Sequence, residues 1–318
     1  MKKNNQHYYR ILCEENQSIP VFSKAWWLDS EFGEENWNVA LVFEDNKIIA
    51  SMPFQIPNGI FKKSVMPQFA QTIGPWIDKK IFENTKYKIS KEFDILNKLI
   101  NNLPKTGYFL QQFHRNISNH SPFFWKGFSQ QTKYSYLIKD ISNIEKVIDS
   151  FHSSKKRGLK IATEILKLDL NYSGEEFFDD YNSFLGKQNI QYSKEYFIKI
   201  YNSSIINNSG KIFCAKDSNG NVHGSLFIVW DKESAYHLVT PINPKFRHSY
   251  SLTFLIIEAL KFLQGKVKYY DFEGSMIPNI EKTFREYGGV PVAYHRIKKV
   301  DNLLLKLLFF TRSIFKND

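Results

Sequence analysis

Residues Val267–Gly289 read VKYYDFEGSMIPNIEKTFREYGG. Lys266–Phe272 is rich in Tyr, Val and Phe, which suit a packed strand. Alternation places Val267, Tyr269, Asp271 and Glu273 on one face. Acids on an inward face need a reason, because an unpaired buried carboxylate is costly. Gly274 allows a sharp turn. Ser275 is placed to cap the helix that follows, and Pro278 fits its first turn. Ile280 and Phe284, with Tyr287 nearby, form one apolar side, and Gly288 and Gly289 end the helix. The stretch gathers two carboxylates and a hydroxyl at the C-terminal end of a core strand, where α/β folds place ligands. Asp271 and Glu273 are candidates to hold an amine, take its proton or position a substrate. The competing reading pairs one of these acids with Arg285 or Arg247 in a structural ion pair and uses the other to cap the helix.

Ser249–Leu263 precedes this stretch and reads as a helix apolar almost all round, hence buried on most sides. The segment INPKFRHSYSL opens it. A hairpin is expected at Lys211–Ala215 and Val222–Trp230 around Asp217-Ser218-Asn219-Gly220, then a strand at Ala235–Thr240. Ile141–Leu166 reads as one long helix or two, with Gly158 inside at a cost of ~1 kcal/mol relative to Ala. Lys155, Lys156, Arg157 and Lys160 form a basic cluster there, either contacting phosphate on tRNA or on a nucleotide- or lipid-linked sugar, or simply solvated. The first half repeats the order of helix, hairpin, further strand, amphipathic helix and strand: Val21–Phe32, Trp37–Phe43 with Lys47–Phe54, Ser64–Asp78, Ile89–Leu103 and Gly107–His114. The pattern is that of a duplicated α/β domain.

With 318 residues, the chain is long enough for two domains. A net charge of +11 favours a polyanionic partner, although the basic residues are scattered as a Lys-rich composition alone would leave them. Cys13 and Cys214 make neither a disulfide framework nor a zinc site, so a reducing cytoplasm is the expected compartment. His114, His120 and His152 lack metal-ligand spacing, and no metal site is expected. His237 reads as a core residue. The first residues lack the apolar core of a signal peptide, and no apolar run is long enough to span a bilayer. NLLLKLLFFTRSIFKND, from Asn302 on, has a wide apolar arc. It reads as an interfacial helix on anionic lipid at the inner face of the membrane, or as a helix docked on the protein itself or a second subunit.

DFEGS followed by P-x-I-E-x-x-F-x-x-Y-G resembles the C-terminal signature of the FemAB-like branch of the GNAT acyltransferase superfamily, with Tyr287 where that family usually has Phe. The hairpin W-x-V-A-x-V-F, the segment MPQFAQTIGPW, and Lys156, Gly158, Ile161 and Ala162 in the basic helix are similar to that family in the same order. The resemblance implies an α/β (α+β) fold of two GNAT-like domains, each a mixed sheet flanked by helices. These are expected at 1–139 and 140–300, with an amphipathic tail helix at 301–318. It implies transfer of an acyl or aminoacyl group from an activated donor to an amine, on an amino sugar or another cell-envelope or surface-polysaccharide precursor. Asp271, Glu273 and Tyr287 would be the catalytic candidates. Arg247, His248, Ser249, Tyr250 and Ser251 stand where GNAT proteins carry the Q/R-x-x-G-x-G/A loop that holds the pyrophosphate of coenzyme A. Both loop glycines are replaced here, by Tyr250 and Leu252. Lys155, Lys156, Arg157, Lys160, Ser275 and Arg285 would contact acceptor or phosphate. No permanently bound cofactor is implied; the co-substrate is acyl-CoA or an aminoacyl-tRNA. The absence of a coiled-coil arm lowers the tRNA reading, and the altered loop lowers that of coenzyme A. An aminoacyl-tRNA-dependent peptidyltransferase and a non-catalytic binding protein are the alternatives.

Overall fold

The computed structural model describes residues 2–83, 85–185, 193–275 and 277–314. In chain order the elements are α1 (Lys2–Glu15), α2 (Ala25–Phe32), β1 (Trp37–Glu44), β2 (Lys47–Gln55), β3 (Lys63–Ser64), β4 (Trp76–Ile77), α3 (Lys88–Asn101), β5 (Tyr108–Gln112), α4 (Ser121–Trp125) and β6 (Ser129–Ile138). There follow α5 (Ile144–Asp149), α6 (Ser153–Ile165), β7 (Lys167–Asp169), α7 (Gly174–Leu185), α8 (Lys194–Ile206), β8 (Gly210–Lys216), β9 (Val222–Trp230) and β10 (Ser234–Val239). The chain ends with α9 (Ser251–Leu263), β11 (Tyr269–Asp271), α10 (Pro278–Glu286), β12 (Val290–Val300) and α11 (Leu303–Ile314). It is a mixed α/β fold.

Two compact units emerge: residues 1–133 with 293–318, and residues 134–292. The sequence reading drew its divisions at 139/140 and 300/301. In the first unit β1 and β2 form an antiparallel hairpin. Its turn, Asp45-Asn46, has both residues at positive φ, as the twist of a two-residue hairpin turn demands. β5 is flanked by β3 in parallel and by β12 in antiparallel register, Arg296 lying opposite Gln112. Phe109, Phe113, Phe123, Phe128 and Ile297 are buried in one core. Helix α1 has no counterpart in the expectations, since its opening KKNNQ carries no apolar stripe.

The second unit orders its strands β6–β11–β10–β9–β8–β7. β8 and β9 make the expected hairpin, and Ile141–Leu166 resolves into two helices, α5 and α6. Helix α9 has nine buried residues among thirteen and forms the centre of the core with Phe213, Leu226, Ile228 and Tyr270. The site is positioned by the adjacency of β10 and β11, which run parallel.

Candidate active site

β11 is shorter than its sequence suggests. Pairing with β10 runs through Ser234↔Tyr269, Ala235↔Tyr270 and Tyr236↔Asp271 and then stops. β10 continues to Val239, while the chain after Asp271 keeps only its pairing with β6, the Phe272 amide donating to the Tyr136 carbonyl at 2.9 Å. The two parallel strands therefore part beyond Tyr236 and Asp271. His237 stands at this fork. Its Nδ1 is 2.8 Å from the Tyr270 hydroxyl, and its Nε2 is hydrogen-bonded with the Thr240 hydroxyl. Burial pushes its pKa down to about 3, so the ring is neutral. Both ring nitrogens have partners, as a core histidine requires.

The corner after β11 is built from backbone constraints. Asp271 is 1% exposed. Its Oδ1 accepts hydrogen bonds from the Ser135 hydroxyl and from the Glu273 amide, the latter at 2.7 Å. Glu273 and Gly274 are both left-handed, at φ 61° and 68°. A Cβ at Gly274 would come within 2.1 Å of the Tyr134 carbonyl oxygen, so only glycine allows the corner to lie against β6. This corrects the expected alternation. Glu273 does not continue the face of Asp271, because the strand has ended and its backbone has turned over. Arg285, one of the partners offered for these acids, instead binds Glu281 at 2.6 Å, and Glu281 accepts from the Tyr136 hydroxyl at 2.7 Å. Ser275 braces the loop by accepting from the Ile277 amide at 3.1 Å, and the residue at the helix N-cap is Ile277. Glu273 is half-buried at this corner.

Pro278 opens α10, and Gly288, at φ 74°, closes it. Phe284 stacks on Phe272 at 5.0 Å. Tyr287 is 1% exposed, with its hydroxyl 2.8 Å from the Thr253 hydroxyl and Lys155 Nζ 4.9 Å above its ring. Burial raises its pKa well above that of a free phenol.

The other parallel strand leads through residues 240–250 into α9. Ser251 donates to the His223 carbonyl at 3.2 Å, and Asn243 donates to the Val222 carbonyl at 2.9 Å. The His223 ring stacks on Phe246 at 4.0 Å. Tyr250 is left-handed, at φ 55°. A Cβ on Gly158 would lie 2.5 Å from the Tyr250 ring, so the glycine in α6 makes room for that aromatic. Arg247, His248 and Tyr250 are exposed, and Ser249 and Ser251 are buried. In α6, Lys155 pairs with Glu286 at 3.2 Å and Lys156 donates to the Asp149 carbonyl at 2.8 Å, whereas Arg157 and Lys160 are exposed. The structure thus splits the basic cluster into two tethered and two solvent-facing cations. Through Tyr250, it seats this helix on the loop. Ser135, Thr253, His223 and the Gly158–Tyr250 contact were not singled out as site-forming from sequence. Ser135 is 136 residues from Asp271, and nothing local marks it.

Among the described residues no group of three or more His, Cys, Asp or Glu is placed to hold a metal ion, and no helix is long and apolar enough to cross a membrane.

No family model matches the chain, and no curated protein matches it in sequence. Solved structures do match in fold. FemX superposes with a TM-score of 0.66 at 10% identity, covering 97% of this chain and 98% of its own. The C-terminal domain of a protein assigned as a lysylphosphatidylglycerol synthetase, from Agrobacterium fabrum, gives 0.53 at 10% identity, covering 98% and 96%. A tandem GNAT protein from the clavulanic acid biosynthesis pathway gives 0.51 at 8% identity, covering 93% and 95%. From end to end, the chain therefore has the fold of FemX and of the tandem GNAT protein, in agreement with the resemblance carried by DFEGS and its helix.

Proposed function

We propose that this protein is an acyltransferase that moves an acyl or aminoacyl group from an activated donor to an amine. The amine is carried on an amino sugar or another cell-envelope or surface-polysaccharide precursor. The observation that carries the reading is the fork between β10 and β11, with an acid at the end of one strand and an exposed basic loop at the end of the other. The matches to FemX and to a lysylphosphatidylglycerol synthetase support it at the level of fold.

In this proposal the donor's anionic part lies on Arg247 and His248, with Arg157 and Lys160 nearby on α6, and its carbonyl reaches the fork. Ser249, Tyr250 and Ser251 shape the start of α9, whose N-terminus favours negative charge. Acyl-CoA suits such a loop if phosphate lies across it rather than within it, since Tyr250 occupies the position of the first loop glycine. The amine attacks the carbonyl carbon, a C–N bond forms, and the C–S or C–O bond to the leaving group breaks. Glu273 takes the proton that the amine loses. Backbone N–H groups of β10 beyond Tyr236, released from pairing with β11, are suited to hold the oxyanion. Asp271 positions Glu273 by binding its amide. Tyr287 acts through packing and its bond to Thr253, and Lys155, Lys156, Ser275 and Arg285 hold the surrounding backbone. Turnover of Glu273→Gln, measured with acetyl-CoA or aminoacyl-tRNA and amine acceptors, is expected to fall at least ~100-fold with little change in melting temperature. Unchanged turnover removes Glu273 from the reaction. Absence of turnover and of binding with every donor favours a non-catalytic binding protein.

The proposed place of action is the inner face of the membrane. Leu303, Leu304, Leu307 and Leu308 are 70%, 62%, 54% and 52% exposed along α11, beside the exposed Lys306. Leu305 is buried, and Phe309 packs on Tyr108 at 5.6 Å, so the helix is held with one leucine face outward. Changing Leu304 and Leu307 to Asp is expected to abolish co-sedimentation with anionic vesicles. If the wild-type chain never sediments with them, the membrane reading falls.

A further inference from the structure

A second cationic site lies in the first unit. Gln112 on β5 and Arg296 on β12 sit opposite one another. The Gln112 side chain is fixed at both ends. Its Nε2 donates to the Gln71 carbonyl at 2.6 Å, within the segment MPQFAQTIGPW, and this turns Oε1 towards Arg296. Oε1 accepts from Arg296 Nε at 3.0 Å and from Nη2 at 2.8 Å. The guanidinium is therefore locked along one edge by a neutral amide, with its Nη1 donors left over. On β6, the strand next to β12, Gln130 Nε2 lies 2.7 Å from Nδ1 of His295, the neighbour of Arg296, and Lys133, a second half-buried cation, follows three residues later. Burial and, after it, the charge of Arg296 lower the Lys133 pKa. Among the described residues neither cation contacts a carboxylate.

Two neighbouring, partly desolvated cations without a counter-ion are unfavourable unless something anionic joins them. Arg10, half-buried in the same unit, is neutralised by Asp29 at 2.6 Å. A single carboxylate would balance one charge. A phosphate monoester or a diphosphate balances both, and the fixed edge of an arginine suits phosphate oxygens. We propose that Arg296 and Lys133, oriented by Gln112, form a binding site for a phosphate group in the first unit. The phosphate belongs to a soluble ester or diphosphate, or to a lipid headgroup. Tyr108, four residues before Gln112 on the same face of β5, carries Phe309 of α11. That puts the tail helix about 13 Å along the strand from the site.

The test uses the full chain with Arg247→Gln and Arg157→Gln, so that the loop before α9 contributes little. Inorganic pyrophosphate is titrated at constant ionic strength, with affinity read by calorimetry and stability by melting temperature. Pyrophosphate is expected to raise the melting temperature. Arg296→Gln and Lys133→Gln are each expected to weaken binding at least ~10-fold. Arg296→Lys, which keeps the charge but loses the fork, should fall between. Without pyrophosphate, Lys133→Gln should leave the melting temperature unchanged or raise it, because a repulsion is removed. A structural role for these cations would lower the melting temperature equally with and without the ligand, and that result overturns the proposal. So does pyrophosphate binding that Arg296→Gln with Lys133→Gln leaves intact, or no binding at all. UDP and phosphatidylglycerol vesicles, compared in the same background, distinguish a soluble diphosphate from a headgroup. Glu273→Gln should bind pyrophosphate like its parent, so the site stands or falls separately from the transfer reaction.

Discussion

The connection leaving β10 and the connection leaving β11 both run from a parallel strand into a helix, yet they are held by different means. After β11, the corner is fixed by polar contacts to the backbone: Asp271 binds Ser135 and the Glu273 amide, and two left-handed residues press against β6. After β10, the loop is fixed by aromatic surfaces: Phe246 on His223, and Tyr250 against Gly158. The first device leaves little freedom for the backbone. The second leaves room for side chains to move, which suits a loop that must take in a bulky donor. A narrow corner for a small amine and an adaptable loop for a large donor are what two-substrate transfer asks of its scaffold.

The contrast breaks first at Gly274. Alanine there meets a carbonyl oxygen and a left-handed backbone at once. Gly274→Ala is expected to lose about 3 kcal/mol or more in urea unfolding; a loss under ~1 kcal/mol would mean that the corner yields as readily as the loop. Gly158→Ala should lose less, about 1–2 kcal/mol, because a ring can swing aside where a carbonyl cannot. The same change made on Tyr250→Ala should cost close to nothing, and that coupling identifies the ring as the obstacle. Smaller per unit of pH is the effect of the histidine at the fork. His237 is pushed down to about 3 by burial, as is His114 by burial and then by the charges of Arg115 and Lys79. The unfolded chain binds these protons near pH 6.5, so the stabilisation is complete above that value and fades as pH falls towards 3. The slope reaches about 1.4 kcal/mol per pH unit for each histidine. Unfolding followed from pH 7 to pH 4 should show it, and His237→Gln should flatten it.

Much of the fold was legible because it rests on local periodicity. The hairpin around Asp45-Asn46, the apolar helix α9 and the Pro278-to-Gly288 span of α10 each carry their own turn or cap residues. DFEGS was also legible as a polar corner, since an acid, a glycine and a serine have few other reasons to follow Tyr-Tyr. What the residues could not show is how the corner is closed. Asp271 finds its partner on a strand 136 residues earlier, and Glu273 leaves the alternation because its φ is positive, a choice that glycine or asparagine would have advertised and glutamate does not. Gly158 looked like a flaw in a helix until Tyr250 was seen beside it. The basic cluster looked uniform, yet Lys155 and Lys156 are tied to Glu286 and to a backbone carbonyl. Arg296, Gln112 and Lys133 went unnoticed because they stand on three strands that meet only in the folded sheet.

The first unit is made from both ends of the chain: β5 lies against β12, whose residues 296–300 pair with residues 108–112. During synthesis residues 108–112 thus emerge with one edge unmatched until residues 296–300 have left the ribosome. The second unit, continuous from 134 to 292, is under no such delay. The order of maturation is inverted: the half translated later can finish first, and the half translated earlier is sealed by β12.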